Sequence, residues 1–208
     1  MTNDISRLPN RRTRKALTLL VAFLLTATGC DSDDKNRQTG TGGTGGNPSA
    51  TTPPMGAAAV EAWLATGAYR QWRCEPAVHE ARSPSPHGFN RICSNSAISA
   101  NVAGTAAWPQ GAAAVKELHA DAASTTPFGY AVYLKTASDS AGGASWYWYE
   151  RVPLDSPAPH DAQGVVADGL GNTGPAMQIC VGCHGPAGSD AAHTPTAGGR
   201  DLVYTPVM

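Results

Sequence analysis

Five consecutive residues, Cys180-Val181-Gly182-Cys183-His184, limit what this chain can fold into more than any other stretch of its 208 residues. Two thiols three positions apart, with a histidine directly after the second, form the attachment pattern for c-type haem. The thiols add across the porphyrin vinyl groups as thioethers, and the adjacent histidine then supplies the proximal nitrogen to the iron. A fold that carries the motif must therefore leave room for a large flat group. Two other chemistries use a Cys-x-x-Cys pair. Structural zinc wants a second Cys/His pair at ligand spacing, and His193 alone is a poor one. A thioredoxin-like dithiol lies beside a strand-helix pattern, which the Gly- and Pro-rich surroundings of the motif do not offer.

The opposite end of the chain agrees with haem attachment. Residues 1–29 read as an export signal, with Arg7, Arg11, Arg12, Arg14 and Lys15 ahead of an apolar run over 16–27. That run is too short for a membrane-spanning helix. It ends in Ala27-Thr28-Gly29-Cys30, which resembles a bacterial lipobox with Cys30 as the lipidated residue. An ordinary secretory signal with an incidental cysteine is the alternative. Bacteria complete c-type cytochromes outside the cytoplasmic membrane, so both ends of the chain point to the periplasm, with a lipid anchor in the inner or outer membrane. Residues 30–55 carry the lipidated cysteine and a Gly/Thr/Pro-rich linker with almost nothing to bury. The haem domain is expected over 56–208, an ordinary single-domain length.

Five cysteines are present. With Cys30 assigned to lipid and Cys180 and Cys183 to haem, Cys74 and Cys93 remain, and in an oxidising compartment they are most simply a disulfide. Two buried free thiols are the alternative. Net charge is −1, no strongly basic stretch follows the signal, and no Gly-rich phosphate loop occurs, which argues against nucleic acid and nucleotides as partners.

The remaining pattern is strand-rich. A short helix is expected over 57–65, with Val60, Trp63 and Leu64 on one face. Residues 75–89 read as loop, broken by Pro76, Pro84 and Pro86. Three strands follow, over 112–118, 128–135 and 146–152. In the second, Phe128, Tyr130, Val132 and Leu134 oppose Ala131, Tyr133 and Lys135; in the third, Trp146 and Trp148 oppose Tyr147 and Tyr149. Such aromatic density suits a sheet packed against something large and flat. From Pro153 to the haem motif the chain reads as Gly/Pro-rich and irregular. The fold class is α+β: mainly antiparallel sheet with a few helices, and covalent haem near the C-terminus. Only a short tail follows His184, and Met208 is its sole methionine, so the usual helical cytochrome with a later axial methionine is excluded.

Several pieces in fixed order carry a resemblance. They are Gly-x-x-x-Val-Lys-Glu-Leu over 111–118, Leu134-Lys135 closing a strand, the Trp-Tyr-Trp-Tyr run, the C-terminal Cys-x-x-Cys-His and a trailing Asp-Leu-Val-Tyr-Thr over 201–205. Together they resemble the cytochrome P-460 family, which includes the cytochromes c′-beta, over most of 87–208. The resemblance implies an antiparallel sheet, a homodimer and a five-coordinate haem with an open distal face. Enzymatic members of the family oxidise hydroxylamine at a haem cross-linked to a lysine, and the matching residue is Lys116. Strand alternation sets Lys116 with Ala114 and Leu118 on an apolar face, although such a lysine can also extend its charge to water. The oxidising members also use a distal carboxylate. Its place falls within 136–144, where Asp139 is the only acid and Ala137, Ala141 and Ala144 are the other candidates.

His87 matches a histidine that often begins the family's first strand, whereas His79, His119, His160 and His193 read as surface or loop residues or an occasional sixth ligand. Glu75, Glu80 and Glu117 are the other acids considered near the haem. Three functions compete: an open-site haem protein for NO, CO or reactive nitrogen species; a lipid-anchored electron carrier working with a redox partner; and a hydroxylamine oxidase using Lys116.

Overall fold

The computed structural model describes residues 52–83, 85–188, 199–204 and 207. The export signal at 1–29, Cys30, most of the 30–55 linker, His193 and Met208 lie outside the described residues.

A single antiparallel sheet dominates. Its strands are β1 (Arg73–Cys74), β2 (His79–Glu80), β3 (Phe89–Ser94), β4 (Ala113–His119), β5 (Gly129–Lys135), β6 (Trp146–Arg151) and β7 (Val165–Leu170). From β3 to β7 each strand pairs with the next in sequence, so the sheet is a meander. At the other edge, β1 pairs with the end of β3 and β2 with its start, forming one interrupted edge strand. The architecture is thus mainly antiparallel sheet with a few helices, as the strand-rich pattern predicts.

The alternation read for β5 and β6 separates the two faces. On one face, Val60, Trp63 and Leu64 of helix α1 (Ala57–Ala65) pack with Tyr69 against Val115, Val132, Leu134, Tyr147 and Tyr149. The predicted helix and its buried residues coincide with α1. Gly56 supplies no side-chain cap, and the Asp168 carboxylate on β7 instead accepts the Ala57 N–H at 2.8 Å and the Tyr147 hydroxyl at 2.6 Å. A carboxylate at a helix N-terminus also complements the helix dipole.

The opposite face carries Ile92, Ala114, Trp146 and Trp148, and is covered by Ala176 and Cys180 of the haem-motif segment and by Leu202, Val203 and Val207 of the tail. Two glycines bring the motif segment close. A Cβ on Gly171 would stand 2.6 Å from Val181 and 2.3 Å from the Gly143 carbonyl, and one on Gly143 would stand 2.9 Å from Val181. Val181, the second residue of the motif, is seated in the saddle these glycines leave.

Three expectations need correction. The 75–89 stretch is not all loop, because His79 and Glu80 form β2. Strand β3, which only the family resemblance at His87 implies, carries no periodic mark: its buried residues include Asn90 and Ser94 beside Ile92 and Cys93, so no apolar alternation shows. The strand β7 lies in the region read as irregular, since Asp168 and Gly169 are turn-type residues. Strand ends also shift: β4 runs on to His119, and Phe128 and Val152 fall outside β5 and β6.

Cys74 and Cys93 are directly opposed across β1 and β3 and form a disulfide, with Cα atoms 3.9 Å apart. The bond closes a loop of 19 residues in sequence separation. Cys74→Ala/Cys93→Ala is expected to cost roughly 3 kcal/mol in the chain-entropy account. Urea unfolding checks this as a lower midpoint; an unmoved midpoint would show that strand pairing alone secures the edge.

Candidate functional site

The motif lies on a continuous helical segment. A wide π-helical turn spans Ala176–Val181, helix α2 spans Ser96–Ser99 elsewhere in the chain, and α3 (Gly182–His184) continues the π turn into a 3₁₀ turn over Gly185–Ala187. Helical spacing places Cys180, Cys183 and His184 on the wall of the same recess against the sheet. Both cysteines are free thiols, and burial with nearby negative groups pushes Cys180 up to about 12.

His184 is oriented from two directions. Its Nδ1 lies 2.6 Å from the Leu202 carbonyl. A carbonyl can only accept, so Nδ1 carries the proton and Nε2 keeps its lone pair. The ring is enclosed by Trp148, Tyr204 and Tyr133 at centroid distances of 4.7, 5.5 and 6.3 Å. Tyr204 also donates its hydroxyl to the Cys183 carbonyl at 2.7 Å. Burial holds His184 down at about 4, so it is a neutral imidazole at physiological pH. An imidazole with one nitrogen tied to backbone and the other free is the state that ligates a metal.

Strand register decides what faces the motif. Lys116 of β4 pairs with Ala131 of β5, which pairs with Glu150 of β6. The three side chains form one row across the sheet, with the small Ala131 leaving space between lysine and carboxylate. All three line the recess together with Cys183 and His184. Lys116 points inward, as the alternation expects, with Nζ 3.4 Å from the Ser85 hydroxyl. Burial lowers its affinity for a proton, opposed by the Glu150 charge. Burial raises Glu150 to about 7, opposed by Lys116.

His87 comes from the loop before β3 and lines the same recess, with Nδ1 3.8 Å from Glu150 Oε1. Burial and the Lys116 charge lower it to about 3. Of the other described histidines, His87 therefore reaches the motif, whereas His79 pairs with Glu75 at 2.9 Å and His160 bonds the Asp161 carbonyl at 2.7 Å. His119 is buried on β4 and lies 3.7 Å from Glu117.

None of the acids singled out in the sequence, Asp139, Glu75, Glu80 and Glu117, lines the recess. Asp139 is exposed and accepts a hydrogen bond from the Ser145 hydroxyl at 2.9 Å. Ala141 is also exposed. Glu75 is committed to His79, Arg82 and the Ile92 N–H, and Glu117 to Tyr69 and the arginines at 70 and 91. Glu80 sits on the edge strand β2 and is exposed. Glu150, which no motif marked, is the acid that lines the recess among the described residues. Its signal was alternation: it follows Trp146 and Trp148 on the inward face.

Glu150 makes a pH prediction. Its folded value of about 7 lies above its ordinary 4.5, so its contribution to stability is complete below pH 4.5 and is lost as pH rises through 7. His87 and His184 run the other way: with folded values of about 3 and 4, their contribution is present above 6.5 and is lost as pH falls through those values. In the haem-free full chain, Glu150→Gln is expected to gain stability relative to the parent as pH rises from 4.5 to 7. Urea midpoints across that window check it, and a constant gap would refute the assignment.

The residues fit a c-type haem by the chemistry of their donors. Two unbonded thiols stand at attachment spacing, and a neutral imidazole with a free Nε2 follows them beside an aromatic wall. No protein-family model, curated protein or solved structure matches this chain.

Proposed function

We propose that the domain is an exported c-type haem protein, similar to the cytochrome P-460 and c′-beta family, that binds small ligands such as NO or CO or handles reactive nitrogen species. The observation that carries this reading is the convergence of Cys180, Cys183 and the Leu202-tethered His184 on one recess. Cys180 and Cys183 would hold the haem as thioethers, and His184 Nε2 would hold its iron. When bound, the haem supplies an iron centre that coordinates diatomic ligands.

The chain's own residues then have distinct duties. Trp148, Tyr133 and Tyr204 exclude water from His184 and fix its ring plane. Ala114 and Ala131 keep the sheet face low where a planar group would lie. Glu150 can hold or release a proton near neutral pH, and Lys116 supplies the neighbouring amine. The Cys74–Cys93 disulfide supports an oxidising compartment. The export signal and Cys30 would hold the domain at the periplasmic face of a membrane, as a homodimer by the family resemblance.

A second reading draws support from the Lys116–Ala131–Glu150 row. A half-buried lysine and a half-buried carboxylate in the same recess are the groups that hydroxylamine oxidation would need, with Lys116 linked to the haem and Glu150 as base.

The absorption spectrum of the protein secreted by a host that attaches c-type haem tests these readings. A high-spin c-type spectrum that changes with NO supports the first. A strongly red-shifted Soret band on reduction, abolished by Lys116→Ala, supports the second. A sharp low-spin spectrum indifferent to NO makes the protein an electron carrier with a sixth ligand, for which His87 is the residue in place. Absence of a thioether haem in the pyridine haemochrome assay overturns all of them.

A further inference from the structure

Leu202, whose carbonyl accepts the His184 Nδ1–H, directly follows Asp201, the centre of a buried polar cluster. Asp201 is 1% exposed, Lys135 and Ser140 are fully buried, and the three meet beneath the tail. Lys135 Nζ lies 2.5 Å from Asp201 Oδ2, the Ser140 hydroxyl bonds Asp201 Oδ1, and the Trp108 N–H donates to Oδ2 at 2.8 Å. Lys135 also bonds Ser140 at 2.9 Å. Asp201 and Leu202 both adopt left-handed backbone conformations, with φ of 48° and 64°, which non-glycine residues rarely take. Such a pair persists only where surrounding contacts over-determine it. Here the contacts are the Asp201 cluster on one side and, on the other, the Arg200–Val203 backbone bonds with the Leu202 N–H on the Gly188 carbonyl. The turn they hold aims the Leu202 carbonyl at His184 Nδ1.

We infer that Lys135, Ser140 and Asp201 are positioning residues for the proximal histidine, setting its tautomer and donor strength through the Leu202 carbonyl. The inference rests on the haem reading above and specifies how the chain would tune the iron. A well-aimed acceptor on Nδ1–H makes Nε2 a stronger donor, which favours the oxidised metal. Slack in the turn lengthens that bond and weakens the donor.

Resonance Raman of the ferrous secreted protein reads the iron–histidine stretch, and a spectroelectrochemical titration reads the midpoint potential. Asp201→Asn is expected to lower the stretch and raise the potential while leaving covalent haem content unchanged. Ser140→Ala, which keeps the Lys135–Asp201 pair, is expected to move both in the same direction by less, and it decides the matter if Asp201→Asn does not fold. Val60→Ala, on the other face of the sheet, supplies a destabilised control and should move neither. Unmoved values in the network variants, or equal movement in the control, would overturn the inference while the haem reading stands. If the parent chain takes no haem, the haem reading fails separately. The ring ¹⁵N shifts of His184 in the full chain then decide: a fixed Nδ1–H tautomer in the parent that becomes mixed in Ser140→Ala or Asp201→Asn upholds the positioning role, and identical shifts reject it.

Discussion

Cys180→Ser/Cys183→Ser is expected to leave the cell with no covalent haem, under conditions in which the parent chain carries one per domain. The effect is all-or-none because a hydroxyl does not form the thioether, and among the described residues no other free thiol is present. Mass spectrometry of the secreted chain checks it. Each single variant is expected to retain one thioether at reduced yield. Retention of haem by the double variant after acid-acetone extraction would mean that the motif is not the attachment site. His184→Ala should behave differently, keeping the thiols while removing the axial nitrogen.

The second large effect lies in the tail cluster. Lys135→Ala is expected to destabilise the domain by about 3–5 kcal/mol, because it leaves the Asp201 carboxylate buried without its charge partner. Replacing both members by well-packed apolar residues is expected to cost much less, since the penalty belongs to the stranded charge more than to the lost pair. Urea unfolding of Lys135→Met/Asp201→Leu beside Lys135→Ala separates the two cases. If the single and double variants lose the same stability, burial of an unpaired carboxylate is not the dominant cost. The double variant also removes the carboxylate that accepts the Trp108 backbone N–H, which sets a floor on its loss.

The Cys-x-x-Cys-His motif is legible as five letters because its residues are adjacent and a single helical segment presents them together. Helix α1 is legible because Val60, Trp63 and Leu64 fall at helical spacing. Strands β5 and β6 are legible because large aromatics alternate with residues meant for the other face. Strand β3 is opaque for the opposite reason: Asn90 and Ser94 are buried, and their polarity hides the period. Alternation with Trp146 and Trp148 sets Glu150 on the inward face, but nothing local marks it as a partner of Lys116. Only its register opposite Ala131, one strand from Lys116, turns it into a recess carboxylate. Lys135 and Asp201 stand 66 positions apart, and neither carries any local mark of burial.

The chain by itself determined the Cys-x-x-Cys-His pattern, the pairing expected of Cys74 with Cys93, the faces of the aromatic strands and the face of the sheet on which Lys116 stands. Each of these follows from adjacency, from counting cysteines or from a two-residue period. The tertiary structure alone decided which acid and which histidine share the recess with the motif, and which carbonyl fixes the His184 tautomer. Those are contacts between segments distant in sequence, set by strand register and by a tail that folds back under the sheet, and register has no signature within any single strand.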